Sequence, residues 1–358
     1  MARAGVDSAV RELVARCHGG LDAASLQSEF VDRLGRVLPV DAAFCASADP
    51  ATLLFTGAVL RNIPPETAHR FLANEFLEDD VNKFTALANQ RSPVQSLDRV
   101  TGNHRPVSVR YREIMAPLGL GDELRAALRS GGECWGFLCL HREDAAAGFT
   151  ETETRLVARL AAHLGEGLRR ALVVRHVGAS PDSDDGPGIL VVGENGALVA
   201  TTTAGERWLW ELSTPDQPVG RLPVTIDAVL ARLKAVRAGT GPLDLQPTVR
   251  LRTRSGRWAV VHASEMAGLG EGNHVAIVVE PASRADLAPI VLLAYGLTKR
   301  EADVARLVLQ GKTTKVVSSE LRISQNTVED HLKAIFGKVG VGNRGELTAR
   351  VFLDHYAH

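Results

Sequence analysis

No stretch of the chain approaches the run of about 18 apolar residues that a membrane-crossing helix needs, so no membrane partner is expected. The first residues, Met1 to Arg16, mix charged and polar side chains and contain no apolar core of a secretory leader. A cytoplasmic protein is expected. Cysteine is scarce: Cys17, Cys45, Cys134 and Cys139 are scattered and form no C-x-x-C pair. In a reducing compartment they read as thiols in the core. Catalytic signatures are missing as well. There is no G-x-S-x-G and no H-E-x-x-H. Gly268-Leu-Gly-Glu-Gly272 is a fragment of a phosphate loop without the helix that should follow, and reads as a plain loop. The eleven histidines show no ligand spacing; His141 or His163 holding haem is the weaker reading, and Glu78-Asp79-Asp80 reads as an exposed acidic run. No catalytic residue, metal or cofactor is expected, and no enzyme activity.

Lysine is also rare, with seven in 358 residues, and its placement is uneven. Lys299, Lys312, Lys315, Lys333 and Lys338 all lie in the last segment. From Gly296 to His358 ten Lys or Arg face seven Asp or Glu, although the whole chain carries a net charge of −1. A local basic surplus is the electrostatic footprint of a nucleic-acid binder. Two breaks rich in turn formers, Gly178 to Gly188 and Pro281 to Pro289, divide a chain too long for one ordinary core into 1–177, 187–282 and 290–358.

In the first block, Leu26, Phe30, Leu34 and Leu38 have helical spacing, and Glu133 to Leu140 reads as a strand after Gly131-Gly132. Thr150 with Glu153 is a capping box opening a long helix that carries Leu156, Leu160, Leu164, Leu168 and Leu172. The stretch Cys134-Trp-Gly-Phe-Leu-Cys-Leu-His141, then Phe149-Thr-Glu-Thr-Glu153, then this helix resembles the end of a GAF domain. The second block offers two strands joined at Asn195-Gly196, a helix over Thr201 to Leu212, and three strands at Val249 to Arg254, Trp258 to Ser264 and His274 to Val279. That order resembles a PAS domain. Of Trp208 and Trp210, one is expected in the core.

The third block is the most specific. Thr298 and Glu301 form a capping box, Gly311 stands where a helix should stop, and Ser324 can cap a helix whose apolar stripe is Val328, Leu332, Ile335 and Phe336. Asn343 and Glu346 repeat the capping signature for a last helix with Leu347, Val351 and Phe352. With Leu297-Thr-Lys-Arg-Glu301, Ile323-Ser324, Thr327-Val328, His331-Leu-Lys333, Ile335-Phe336, Lys338, Gly340-Val341 and Arg344 with Glu346-Leu347, the block resembles the LuxR-type helix-turn-helix. Ser318, Val316 and Gly337 depart from the family pattern, and Gly337 costs its helix about 1 kcal/mol against alanine.

The resemblance implies a third helix lying in the major groove of double-stranded DNA, and a fourth that helps pair two copies. Glu329, Asp330 and Lys333 are then placed to reach base edges, the acids preferring the cytosine amino group. Thr327 and Lys338 suit phosphates, and Thr313, Thr314 and Val328 complete the contact set. A homodimer on an inverted-repeat operator is expected, with seams at Leu347 and Val351 and at Leu160, Leu164 and Leu168. The fold expected is multidomain α+β: GAF-like and PAS-like antiparallel-sheet domains before an all-α four-helix domain. The function implied is a one-component transcription regulator with a small-molecule signal. The alternative is that the two modules serve only dimerisation or protein-partner binding. The first block lacks the spaced Trp and Tyr of acyl-homoserine-lactone domains and the acidic cluster of a receiver domain.

Overall fold

The structure is a computed structural model and describes residues 2–172, 186–214, 220–240, 245–267 and 274–353. Most of the Gly178 to Gly188 break, the Gly268 to Gly272 loop and the side chain of Phe352 lie outside the described residues.

The first domain opens with helices α1 (Ala2–Cys17) and α2 (Ala23–Leu34) and closes with α6 (Glu151–Ala171). Between them lie β1 (Ala42–Ala48), β2 (Phe55–Arg61), α3 (Ala68–Leu77), α4 (Phe84–Asn89), β3 (Val94–Ser96), α5 (Leu97–Thr101), β4 (Leu120–Ser130) and β5 (Glu133–Glu143). The strands form one antiparallel sheet in the order β2-β1-β5-β4-β3. Successive strand residues point to opposite faces, and here both faces are covered. Leu138 and Leu140 pack with Leu160, Leu164 and Leu168 of α6, while Phe137 and Cys139 pack with Phe76 of α3 and Phe84 of α4. This is why β5 reads as a continuous apolar run rather than an alternation. The capping box at Thr150 and Glu153 forms as expected.

The second domain contains β6 (Gly188–Val192), β7 (Leu198–Thr201), α7 (Thr203–Leu212), α8 (Val224–Ala238), β8 (Thr248–Arg252), β9 (Trp258–Glu265) and β10 (Val275–Pro281). Its sheet order, β7-β6-β10-β9-β8, repeats that of the first. Trp208 is buried and Trp210 exposed, as one-in, one-out was expected. Helix α8 was not foreseen. It packs on α3 and β2 of the first domain as well as on β8 and β9. Apolar residues therefore occupy nearly all its sides, among them Ile226, Val229, Leu230 and Ala235. A helix buried all round has no polar stripe to betray its period.

The third domain begins with α9 (Arg284–Ala294), inside the stretch Pro281 to Pro289 that the composition marks as a break. A capping box of Ser283 and Asp286 starts the helix, and Pro289 is tolerated within it because Leu287, Ile290 and Val291 are anchored in the core. Helices α10 (Lys299–Leu309), α11 (Thr314–Leu321), α12 (Gln325–Val339) and α13 (Arg344–Thr348) follow, with a π-helical turn at Ala349–Leu353. Two antiparallel five-stranded α+β domains thus precede a helical one, as expected.

Candidate functional site

Two places in the molecule concentrate chemistry: one face of α12, and a polar cluster inside the first domain.

Helix α12 is set by its neighbours. Ser324 caps it, accepting from the Thr327 amide at 3.0 Å. The chain enters it through Arg322, which holds a left-handed φ of 54° at the end of α11. Ser318 donates to the Ile323 carbonyl at 2.5 Å and locks the turn between α11 and α12. The unusual serine at 318 thus has a structural use. Val328, Leu332, Ile335 and Val339 are buried against α10 and α11. The opposite face exposes Gln325, Asn326, Glu329, Asp330 and Lys333. Lys333 and Asp330 stand 3.9 Å apart with side chains 78% and 77% exposed, a solvated pair that costs little to separate.

Several residues assigned to DNA from sequence are used differently. Val328 is 0% exposed and cannot reach a base. Lys338 donates to Glu301 at 2.6 Å, so its ammonium ties α12 to the capping box of α10. Burial alone would raise the Glu301 pKa, but hydrogen bonds from Lys338 and Thr298 hold it below the usual value. Thr327 is half-buried, with its hydroxyl 2.9 Å from that of Ser324. Thr313 caps α11, and the Thr314 hydroxyl accepts from Arg344 at 2.6 Å. Glu329, Asp330 and Lys333 remain on the open face. Gln325 and Asn326, one turn earlier on that face, were missed. Their place at the helix N-terminus was the available signal. The five seam residues are also spent within one chain. Leu160, Leu164, Leu168, Leu347 and Val351 are all between 0% and 2% exposed. They cannot form the surface of a dimer while this packing persists.

Inside the first domain, period two places Glu123 and Arg125 of β4 and Cys139 and His141 of β5 on one sheet face, with Glu123 paired to His141 and Arg125 to Cys139. Arg110 donates to Glu123 at 2.6 Å and Arg125 to Glu75 at 2.8 Å, all four nearly fully buried. Asp80 belongs here too. Its side chain is 1% exposed and 3.7 Å from Arg110, while Glu78 pairs with Arg70, so two of the three acids in Glu78-Asp79-Asp80 are not the solvated run expected. Glu123 is pushed up by burial, but the two guanidiniums overcome this and hold it well below the carboxylate range. Burial, aided by Arg125 and Arg110, lowers His141 to about 4 and leaves it a neutral imidazole near pH 7. Burial and the Glu123 charge keep Cys139 a protonated thiol, 3.0 Å from Glu123 Oε1. Glu123, Cys139 and His141 line a cavity of about 1000 Å3 with apolar walls that include Phe44, Ile114 and Leu118, and which extends to Leu222 and Arg250 of the second domain. The other three cysteines are buried free thiols. His163 lies on α6, 3.1 Å from His18. Among the described residues, no helix is long and apolar enough to cross a membrane.

Residues 296–351 match the luxR family of bacterial regulatory proteins, and residues 22–168 match the GAF domain. The spore germination protein GerE of Bacillus subtilis is 48% identical over 50 residues, 14% of this chain and 68% of GerE. The transcriptional regulatory protein UhpA of Escherichia coli is 43% identical over 56 residues, 16% of this chain and 29% of UhpA. The chain spans a similar 30% of an Aeromonas salmonicida relative. The structure of Escherichia coli SdiA overlaps loosely, covering 96% of this chain and 95% of SdiA at 14% identity and a TM-score of 0.35. By the match that runs through two thirds of GerE, this chain belongs to the luxR family of bacterial regulatory proteins, and a GAF domain stands ahead of its helix-turn-helix.

Proposed function

We propose that the chain is a sequence-specific DNA-binding transcription regulator whose sheet domains receive a small-molecule signal. The observation that carries the DNA reading is the division of α12 into a buried stripe and an open polar face holding Asn326, Glu329, Asp330 and Lys333. Such a helix, held from behind by α10 and α11, presents short and long polar groups to the major groove. The cavity beside Glu123, Cys139 and His141 supports the sensor reading over a purely adhesive one, since an interaction module has no use for a hollow, mostly apolar pocket with a few convergent polar groups. For the second domain, the repeated 2-1-5-4-3 strand order with helices after the second strand supports a PAS-like reading. A homodimer on an inverted repeat remains the expected assembly, with its seam on faces other than those of the four buried leucines and one valine.

Selection of bound oligonucleotides from a random pool tests the reading. The full chain should enrich an inverted repeat with half-sites about one helical turn apart. Glu329→Ala or Asp330→Ala should lose a preference for cytosine at defined positions while binding to random DNA holds or strengthens, because a carboxylate is repelled by phosphate. A pool that emerges unenriched, or variants indistinguishable from wild type in both respects, would remove α12 from the groove. Sedimentation showing only monomer with and without the selected DNA would sink the dimer.

A further inference from the structure

We propose that Glu123, Cys139 and His141 form a site for one thiophilic divalent transition-metal ion of the zinc type, set in the floor of the first domain's cavity. Among the described residues these three offer a carboxylate oxygen, a thiol sulfur and an imidazole nitrogen all within 4.8 Å of one another. The sulfur lies 3.0 Å from Glu123 Oε1 and 3.3 Å from His141 Nε2. With bonds of about 2.0–2.3 Å to a four-coordinate ion, neighbouring donor atoms stand roughly 3.2–3.7 Å apart. The sulfur–oxygen separation is thus a few tenths of an ångström tighter than in a loaded site and the sulfur–nitrogen separation already falls in that range, so small rotations of side chains bring the sulfur to an ion.

The mixed donor set decides the class of ion. Thiolate with imidazole selects borderline-soft first-row metals over calcium and magnesium, which take oxygen ligands. The donors are also held rigidly. Cys139 and His141 are two apart on β5, and Glu123 is directly paired with His141 across β4. Arg110 donates to Glu123 Oε2 at 2.6 Å and to Oε1 at 3.0 Å, and Arg125 Nε lies 3.2 Å from Oε1, so the carboxylate is fixed and an ion would share Oε1 with these guanidiniums. Arg110 and Arg125 oppose a cation, and Asp80 and Glu75, each paired with one of them, offset that charge. A second observation points to a missing partner. His141 Nδ1 is buried without a hydrogen bond, although buried polar atoms are almost always satisfied. The imidazole is therefore not anchored through Nδ1, and Nε2, 3.3 Å from the Cys139 sulfur, is the nitrogen that would meet the ion. Three protein ligands leave a fourth position, and all three line the cavity, so that position is open to a small molecule. On binding, the Cys139 S–H bond breaks, its proton passes to solvent and the sulfur bonds the ion. No electron changes hands.

The test uses the full chain, stripped of metal with a chelator and titrated with Co2+ and then Zn2+, in the absence of DNA. It therefore succeeds or fails independently of the reading of α12. One Co2+ per chain should bind with a near-ultraviolet thiolate-to-metal charge-transfer band and visible bands of four-coordinate cobalt, and Zn2+ should displace it. Cys139→Ser should abolish the charge-transfer band. His141→Gln should weaken binding at least about tenfold. Cys134→Ser, another buried thiol of β5, should leave both unchanged. Wild-type protein without the band, or a Cys139→Ser variant that retains it, would overturn the site. If Cys139→Ser does not fold, His141→Gln decides: a tenfold loss supports the site and unaltered affinity overturns it.

Discussion

Lys333 and Leu332 are neighbours in the chain and face opposite media. Leu332 is 5% exposed in the core of the helical domain, while the Lys333 side chain is 78% exposed. Leu332→Ala should cost about 2–5 kcal/mol of stability through the cavity it leaves. Lys333→Ala should leave melting unchanged and cost about 1–3 kcal/mol of affinity at the selected site if it reads a base. Thermal melts paired with binding isotherms separate the two, and a Lys333→Ala protein of wild-type affinity would drop this residue from the interface. The pair Glu301 and Lys338 supplies a pH dependence. The folded-state pKa of Glu301 lies below its unfolded value, so the unfolded chain binds the proton more readily. Its contribution is present above the ordinary glutamate range and is lost as pH falls through the lower folded value. Acid melts should therefore show stability falling below about pH 4.5, and Glu301→Gln should flatten that fall. That this glutamate and lysine meet was not visible in the sequence, because they are 37 residues apart and on different helices.

At the level of elements, capping chemistry made the helix starts of the last domain legible. Thr298, Thr313, Ser324 and Asn343 each accept from the amide three residues on, and three of these starts were read directly from the chain. Helices α8 and α9 escaped for opposite reasons. The first is apolar on nearly every side, and the second carries Pro289 in its interior. Gly337 gives a test of local propensity. It lies inside α12, and a Cβ built there meets nothing within 4 Å. Gly337→Ala should stabilise the domain by about 1 kcal/mol, read as a rise in the denaturant midpoint. Gly165 is the contrast, since a Cβ there would lie 2.8 Å from the backbone carbon of Leu128. That glycine lets α6 approach β4, and Gly165→Ala should destabilise by about 1–3 kcal/mol. Equal effects at the two sites would contradict the packing.

Across the whole molecule, one arginine links three domains. Arg250 of β8 donates to the fully buried Asp49 of the first domain at 2.9 and 3.0 Å, and to the Asp286 carbonyl of α9 at 3.3 Å. Arg250→Ala removes the guanidinium and leaves the buried Asp49 carboxylate only backbone amides, those of Ala51 and of position 250 itself, a loss of about 3–5 kcal/mol. Calorimetry should show the variant melting in separated steps at lower temperature, and an unchanged single transition would deny the coupling. What the sequence determined by itself was local: apolar strand runs beside turns, caps, the asymmetric lysines and the helix-turn-helix, all set by residues within a few turns of one another. The tertiary structure alone decided which side chains were still available. It put Val328 and the seam leucines inside, gave Lys338 to Glu301, and brought Glu123 to Cys139 and His141. Strand pairing and helix packing join residues far apart in the chain, and periodicity shows which face a residue takes without showing what waits on the other side.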